Sequence, residues 1–392
     1  MFENRRKQLN QIMRENGMQA VLISSPSNLY YFTGFTGGEA FFVMLTGNQQ
    51  EECIAISKGD EKETVSEWKK TVVEKEMNSE KSKGYVITDS RYYEQVEKEC
   101  QELTLIRLEQ KGYSETVREF FEKFDGDVKV AVEDDMNLSM YLKLCQTCNN
   151  CEFQLKGEAI NACRMVKDEE EIEKIRQAET IGDAAFSHIL TMIKPGITEA
   201  EIALELEFFM KKQGASKLSF DTIVASGANS SMPHAQVTDR RVEMGDFVTM
   251  DFGCVYQGYC SDMTRTIAVG NPTDEMRKVY QIVYDANKRA MEQVAEGKRC
   301  SYIDSLARDY IKEQGYGEYF GHGLGHGVGL DIHEEPRFSP KCDTQITENM
   351  VITVEPGIYL PGKFGVRIED LVVVKKDGFE NLTHSPKELI IL

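Results

Sequence analysis

Two long apolar strands near the end of the chain each carry an acid in their interior. Val351-Ile352-Thr353-Val354-Glu355-Pro356-Gly357-Ile358-Tyr359 and Gly365-Val366-Arg367-Ile368-Glu369-Asp370-Leu371-Val372-Val373 flank a Pro361-Gly362-Lys363 turn. A hairpin centred on Gly362 sets Glu355 opposite Glu369. Arg367, two residues before Glu369, shares its face because side chains alternate along a strand. Val-Ile-Thr-Val and Leu-Val-Val-Val are too apolar for a surface, so both acids are expected to be buried, and a buried carboxylate needs a paired charge or a metal. Pro356 cannot donate to a ladder, so a bulge or an edge is expected beside Glu355.

A second hairpin repeats the pattern upstream. Phe247–Val255 and Tyr259–Ile267 read as strands joined by a short Tyr-Gln-Gly turn. Centring it between Tyr256 and Gln257 places Asp251 directly opposite Asp262, at about 4.5–5.5 Å between Cβ atoms. Two like charges at that separation repel unless a proton or a cation lies between them. A slip of one residue would separate the pair, which is the plain alternative.

The segment Gly321-His322-Gly323-Leu324-Gly325-His326-Gly327-Val328-Gly329-Leu330-Asp331-Ile332-His333-Glu334-Glu335-Pro336 holds three of the six histidines. Histidine is the usual neutral metal ligand and proton carrier near pH 7. If the backbone is extended, His322, Leu324 and His326 share one face and the glycines the other, where another backbone or a ligand can approach closely. A mobile glycine loop is the bland reading. A phosphate cradle does not fit, since no register gives Gly-x-Gly-x-x-Gly and Pro336 stands where a helix would open. Gly227-Ala228-Asn229-Ser230-Ser231-Met232-Pro233-His234 is a polar turn that delivers another histidine; alone, His234 reads as an ordinary loop residue.

The 392 residues suffice for two or three domains. The formal charge of −19, from 65 acidic and 46 basic residues, argues against nucleic acid or an anionic membrane as the main partner. There is no apolar run long enough for a membrane span and no signal-peptide core at the start, and ten scattered cysteines fit a reducing cytoplasm. A cytoplasmic location is therefore expected. In the first part, strands are expected at 20–24, 41–45, 53–57, 85–88, 103–107 and 128–132, with helices at 3–17, 91–100, 113–124 and 138–147. This alternation implies an α/β domain with a mixed or parallel sheet. The charged stretch 58–84, which contains the only tryptophan, Trp68, reads as a surface insertion. Cys145-x-x-Cys148-x-x-Cys151 lacks an obvious fourth ligand, Cys163 lying well beyond it, and reads as thiols at a helix end. Further on, helices are expected at 167–192, from the capping box Thr198-x-x-Glu201 to Gly214, at 274–296 and at 301–314. His188, inside the first of these, reads as a packed or solvated histidine. The domains are taken as 1–155 and 156–392.

Asp251, Asp262, His326, Glu355 and Glu369 offer four carboxylates and one imidazole. That set suits two Mn²⁺, Co²⁺, Fe²⁺ or Zn²⁺ ions sharing bridging carboxylates. With Met-Pro-His-Ala at 232–235, Gly-His-Gly-Val-Gly-Leu-x-Ile-His-Glu at 325–334, Thr-Val-Glu-Pro-Gly-Ile-Tyr at 353–359 and Gly-Val-Arg-Ile-Glu-Asp at 365–370, the chain resembles the pita-bread metallopeptidases, the clan of methionine aminopeptidase, aminopeptidase P and prolidase. The resemblance covers essentially the whole chain and implies an α/β creatinase-type N-terminal domain followed by a pita-bread catalytic domain, a curved antiparallel sheet with outer helices. All five ligand positions are filled, unlike in a metal-free creatinase. A methionine aminopeptidase would lack the N-terminal domain and a histidine at the position of His322. The chain departs from the family at 58–84, where a short connection is usual.

The resemblance implies a proline-specific hydrolase with two divalent ions, Mn²⁺ foremost, acting on short proline-containing peptides as a homodimer. A hydroxide bridging the ions would attack an Xaa-Pro bond. Glu355 would bind metal and move the water's proton, His234 and His333 would hydrogen-bond the reacting carbonyl, and His322, Tyr359 and Arg367 would shape the proline pocket. An Xaa-Pro aminopeptidase is the first expectation, a prolidase (Xaa-Pro dipeptidase) the second, and a non-catalytic peptide-binding module the third.

Overall fold

The computed structural model describes residues 1–46, 84–124 and 126–392. The strand expected at 53–57 and nearly all of the insertion read at 58–84, Trp68 included, lie outside them; Gly84 opens a strand. The described residues form two compact units, Met1–Cys163 and Arg164–Leu392.

In the first unit, six strands stand in the order Thr104–Arg107, Gly84–Thr88, Phe41–Leu45, Ala20–Ile23, Val128–Val132, Cys151–Leu155. Ala20–Ile23 pairs antiparallel with Phe41–Leu45 and parallel with Val128–Val132, so the sheet is mixed. Both faces of the central strands are covered, which is why they read as continuous apolar runs rather than alternating ones. Leu29-Tyr30-Tyr31-Phe32 lies in a helix, Pro26–Thr33. The buried Glu133 carboxylate accepts the Ser24 and Ser25 N–H groups at 2.6 and 2.9 Å, just ahead of that helix. The unit extends past residue 155 because the next turn stays on its own sheet. The Lys156 N–H donates to the Val132 carbonyl at 2.9 Å, Asn28 Nδ2 to Asn161 Oδ1 at 3.0 Å, and the Tyr31 hydroxyl to the Cys163 carbonyl at 2.6 Å. Cys145 is exposed, Cys151 half-buried and Cys148 buried, all as free thiols.

The second unit repeats one device twice: an antiparallel hairpin under a pair of helices. Glu169–Ile189 and Glu199–Lys212, both opened by capping boxes, pack their apolar faces on Phe247–Phe252 and Met263–Ala268 through Ile181, Phe186, Leu206, Met250 and Ile267. Asp274–Met291 and Cys300–Glu313 cover Val351–Val354, Gly357–Leu360, Phe364–Arg367 and Asp370–Lys375 through Val283, Ala286, Ile303, Ile352 and Val372. Along the second hairpin the register is centred on Gly362, from Leu360↔Phe364 to Val354↔Asp370, so Glu355 and Glu369 fall opposite each other. Both strands break there, at 355–356 and 368–369, as Pro356 requires.

The first hairpin departs from its expected register. It is centred between Gln257 and Gly258, one residue later, because both take positive φ (48° and 91°), the mark of a two-residue type I′ turn. Asp251 consequently faces Thr264, not Asp262. The shift moves each strand by one step, so the two aspartates keep a common face as diagonal neighbours. This hairpin also breaks, at Gly253 and at 261–262, where a Cβ on Gly253 would sit 2.0 Å from the Ser261 carbonyl oxygen. Among the described residues, no helix is long and apolar enough to cross a membrane.

Candidate metal centre and active site

Asp262, Glu355 and Glu369 at the breaks, and Asp251 from within the strand Phe247–Phe252, meet at one cavity of about 600 Å³. Asp251, Asp262, His326, Glu355 and Glu369 all line it, together with His322, His234, His333 and Arg367. His326 comes from Gly325–Gly327, a short strand beside Val351–Val354. Gly325 has to be glycine, since a Cβ would lie 1.9 Å from the Thr353 carbonyl oxygen. The extended run is shorter than its glycine spacing suggests. Leu324 turns into the core and does not share the cavity face with His322 and His326.

Potential ligand atoms of Asp262, His326 and Glu369 all lie within 4.8 Å of one another. His326 Nδ1 faces the Gly327 carbonyl at 3.0 Å. Burial lowers its pKa to about 3, so the ring is neutral at pH 7 and carries its proton on Nδ1. The Nε2 lone pair then points at carboxylate oxygens, 3.5 Å from Asp262 Oδ2 and 3.6 Å from Glu355 Oε1. Lone pair against carboxylate is repulsive unless a proton or a cation lies between them. Among the described residues, Asp251 Oδ1 and Glu369 Oε1 are buried with no hydrogen-bond partner, as oxygens that would face a metal are. Burial first, then mutual repulsion, holds the Asp262 and Glu369 carboxyls well above their usual range. Burial pushes Glu355 to about 8, although Arg367 opposes it. The donor set fits hard divalent cations.

Behind the acids runs a chain of hydrogen bonds. Arg367 donates through Nη2 to Asp251 Oδ2 at 2.6 Å, through Nη1 to the Tyr359 hydroxyl at 2.8 Å, and through Nε to Thr264 Oγ1 at 3.0 Å. Thr264 Oγ1 donates to Glu369 Oε2 at 2.7 Å. His322 is held neutral near 4 by burial and by Arg367, with Nδ1 on the Gly323 carbonyl at 2.8 Å. Its Nε2 therefore accepts from the Tyr359 hydroxyl at 3.0 Å. Tyr359 is buried and stands behind the cavity wall, so it reaches the pocket only through His322 and Arg367. His234 and His333 sit at the exposed side, the His333 ring edge-on to His326 with centroids 4.5 Å apart. His188, by contrast, stacks on Phe209 and meets Glu205 at 2.7 Å, away from this cavity.

Several contributors carry no signature in the sequence. Thr264 is one. Glu179, fully buried, accepts the Asp262 N–H at 3.2 Å and the Thr383 hydroxyl at 2.6 Å. Glu334 lies against Arg164 and accepts from Lys167 at 3.1 Å beneath the His333 segment. Arg337, partly buried, lines the cavity.

Four acids and a neutral imidazole converging on one cavity, backed by a guanidinium, define a metal-dependent hydrolase. The chain belongs to metallopeptidase family M24, whose family model matches residues 173–376, while residues 5–81 and 77–166 match the creatinase/prolidase N-terminal domain. It thus has the two-domain architecture of a creatinase-type N-terminal domain and a pita-bread catalytic domain, and is a metallopeptidase that uses divalent metal ions. An Xaa-Pro dipeptidase of Pyrococcus furiosus is 37% identical over 389 residues, spanning 99% of this chain and 100% of that one. Among solved structures, an Xaa-Pro dipeptidase from Bacillus anthracis matches with a TM-score of 0.88 at 37% identity, covering 100% of both chains. An X-Pro aminopeptidase from Thermotoga maritima matches with a TM-score of 0.82 at 36% identity, covering 98% of this chain and 99% of that one.

Proposed function

We infer that the chain is an Xaa-Pro dipeptidase. The observation that carries this is a guanidinium, Arg337, at the wall of the acid-lined cavity, close enough for its charge to act on His326, His333 and Glu355. A free carboxylate one residue past the scissile bond, as in a dipeptide, is what such a group binds well. The full-length relatedness to proteins named Xaa-Pro dipeptidase favours the same reading. The aminopeptidase expected first from the sequence therefore becomes the second reading, supported by the Thermotoga maritima neighbour.

Asp251, Asp262, His326, Glu355 and Glu369 would hold two divalent ions, Mn²⁺ first, which when bound supply Lewis acidity and a more acidic water. Glu355 takes the attacking water's proton and returns it to the leaving proline nitrogen, which has no proton of its own. His234 and His333, at the open side, hydrogen-bond the reacting carbonyl as negative charge grows on its oxygen. Arg367 holds Asp251 and Tyr359, and Tyr359 orients His322 at the wall where the proline ring packs.

The test is hydrolysis of Xaa-Pro dipeptides against matched Xaa-Pro-Xaa tripeptides by protein reconstituted with Mn²⁺. The dipeptide is expected to be preferred by about 10-fold or more in kcat/KM, and Arg337→Met to remove about 10-fold of that, roughly one charge-assisted hydrogen bond. Faster cleavage of the tripeptide would return the reading to the aminopeptidase.

A further inference from the structure

His234 reaches the cavity on a segment, 226–238, with little regular structure of its own: a 3₁₀ turn at Gly227–Ser231, then irregular chain. Loops of this kind carry chemistry well only when their ends are fixed. Both ends of this one close on a single side chain. Glu199, the first residue of the helix Glu199–Lys212, is fully buried. Its Oε1 accepts the Ser226 N–H and hydroxyl, each at 2.7 Å. Its Oε2 accepts the Thr238 hydroxyl at 2.5 Å and the Thr238 N–H at 3.2 Å. Asn229 Nδ2 spans both oxygens at 3.2 and 3.3 Å. The backbone repeats the clasp, with the Ala200 N–H donating to the Thr238 carbonyl at 3.2 Å. At the loop's far end, Arg367 Nη1 reaches the Pro233 carbonyl at 3.3 Å, next to His234.

We propose that Glu199 is a positioning residue for hydrolysis: one buried carboxylate that staples Ser226 to Thr238 and thereby fixes where His234 presents its imidazole. The inference rests on the role given to His234 above. An acceptor-only group suits the site because each of its hydrogen-bond partners among the described residues is a donor. Two of those donors are backbone N–H groups that cannot reverse their role. A glutamine at 199 would turn one donor, its own NH₂, against either Ser226 or Thr238 and open one arm of the staple. No hydrogen bond among the described residues joins His234 to either arm, so Glu199 acts on the substrate through the loop. Small misplacements of a catalytic group are costly, about 100-fold for 1 Å.

The experiment is a double-mutant cycle on the full-length, metal-reconstituted protein, using Glu199→Gln, His234→Ala and the double variant, with a proline dipeptide as substrate. Glu199→Gln is expected to lower kcat by about 10- to 100-fold with a smaller change in KM, and to have little further effect in the His234→Ala background. Bound metal per chain stays unchanged. In the metal-free protein, amide hydrogen exchange over 227–238 quickens while that of the 247–268 hairpin does not. Should Glu199→Gln fail to fold, Thr238→Val removes one arm's hydroxyl and is expected to give a smaller kcat loss that is likewise non-additive with His234→Ala. Losses that multiply in the double variant, or an unchanged kcat in the foldable variant, overturn the positioning role. A fully active His234→Ala protein would instead remove the role given to His234, and with it the inference.

Discussion

Replacing Glu334 with glutamine probes the buried charge cluster beneath the His333 segment. Its side chain is 7% exposed, and the Arg164 and Lys167 side chains facing it are 6% and 1% exposed. Burial alone would raise this carboxyl, but Lys167 and Arg164 reverse that and bring it from 4.5 down to about 2. At 1.36 kcal/mol per unit, the lowering corresponds to about 3 kcal/mol of stability at pH 7. Removing one partner of a buried ion pair costs about 3–5 kcal/mol in other proteins, so the two routes agree. The neutral variant would leave Lys167 with the Met165 carbonyl at 3.3 Å. Arg164 would keep the half-exposed Asp331 as an ionic partner. At about 2–4 °C per kcal/mol for a domain of this size, the metal-free variant should melt roughly 6–15 °C lower. The sign of the pH dependence follows from the depressed pKa. The contribution is complete above about 4.5, the unfolded value, and drains away as pH falls toward 2. Urea unfolding of wild type and Glu334→Gln should thus differ most near pH 7, with the gap shrinking to roughly 1 kcal/mol by pH 3. A gap under about 1 kcal/mol at pH 7, or one that widens on acidification, would refute the assigned pairing.

Asp262→Asn and His326→Ala should each abolish both divalent metal binding and hydrolysis while leaving the far-ultraviolet circular dichroism intact; near-normal metal content by elemental analysis would contradict the ligand assignment. Metal-dependent stabilisation should grow between pH 5 and 8. In the metal-free protein Glu355 titrates at about 8, so that fold loses stability as pH rises from the ordinary carboxyl range through 8, and a bound cation removes the loss. Thermal scans with and without Mn²⁺ at the two pH values check this, and a constant difference would count against it. Arg367→Lys breaks the fork that joins Asp251, Tyr359 and Thr264, and should cost about 10- to 100-fold in kcat/KM; proline-dipeptide kinetics at wild-type activity would show the fork to be dispensable. Gly253→Ala places a methyl 2.0 Å from the Ser261 carbonyl oxygen and should destabilise by about 2 kcal/mol or more, read as a lowered melting temperature.

The two hairpins differ in how much the sequence discloses. For the second, the Pro-Gly-Lys turn fixes the centre at Gly362, whose φ of 71° only glycine adopts readily, and the facing of Glu355 and Glu369 follows. For the first, the turn uses Gln257 at φ 48°, a left-handed conformation that glutamine does not advertise, and the register slips by one. The common face of Asp251 and Asp262 survives because a shift taken equally by both strands preserves the alternation. The glycine-rich segment misleads in another way. Alternating glycines suggest a longer extended run, but only Gly325–Gly327 is a strand and Leu324 enters the core. Thr264, Glu179, Glu199 and Glu334 are illegible in principle from local pattern. Each matters through a partner more than fifty residues away or through a loop whose path is set by tertiary packing.

The interruptions in the strands explain how so many acids can be gathered without wrecking the sheet. Here the ladders stop at Asp262, Glu355 and Glu369, while Asp251 stays paired opposite Ile223 and Thr264, and the freed backbone groups find partners on other segments. The Glu355 N–H donates to the Leu324 carbonyl at 2.8 Å and the Glu369 N–H to the Thr264 carbonyl at 3.1 Å. The Asp262 N–H goes to Glu179. These bonds stitch the 322–327 segment to one hairpin and that hairpin to the other, so the chains that carry the candidate ligands are fixed by backbone contacts. Arg265 continues the stitching from beneath, donating to the Glu369 and Thr264 carbonyls and to Asp370 at 2.5, 3.0 and 2.8 Å. Preorganisation of this kind would let a cation meet a formed site, where it would replace the protons that raised carboxyls otherwise hold. Metal removal should then loosen side chains in the cavity while the strand breaks keep their geometry.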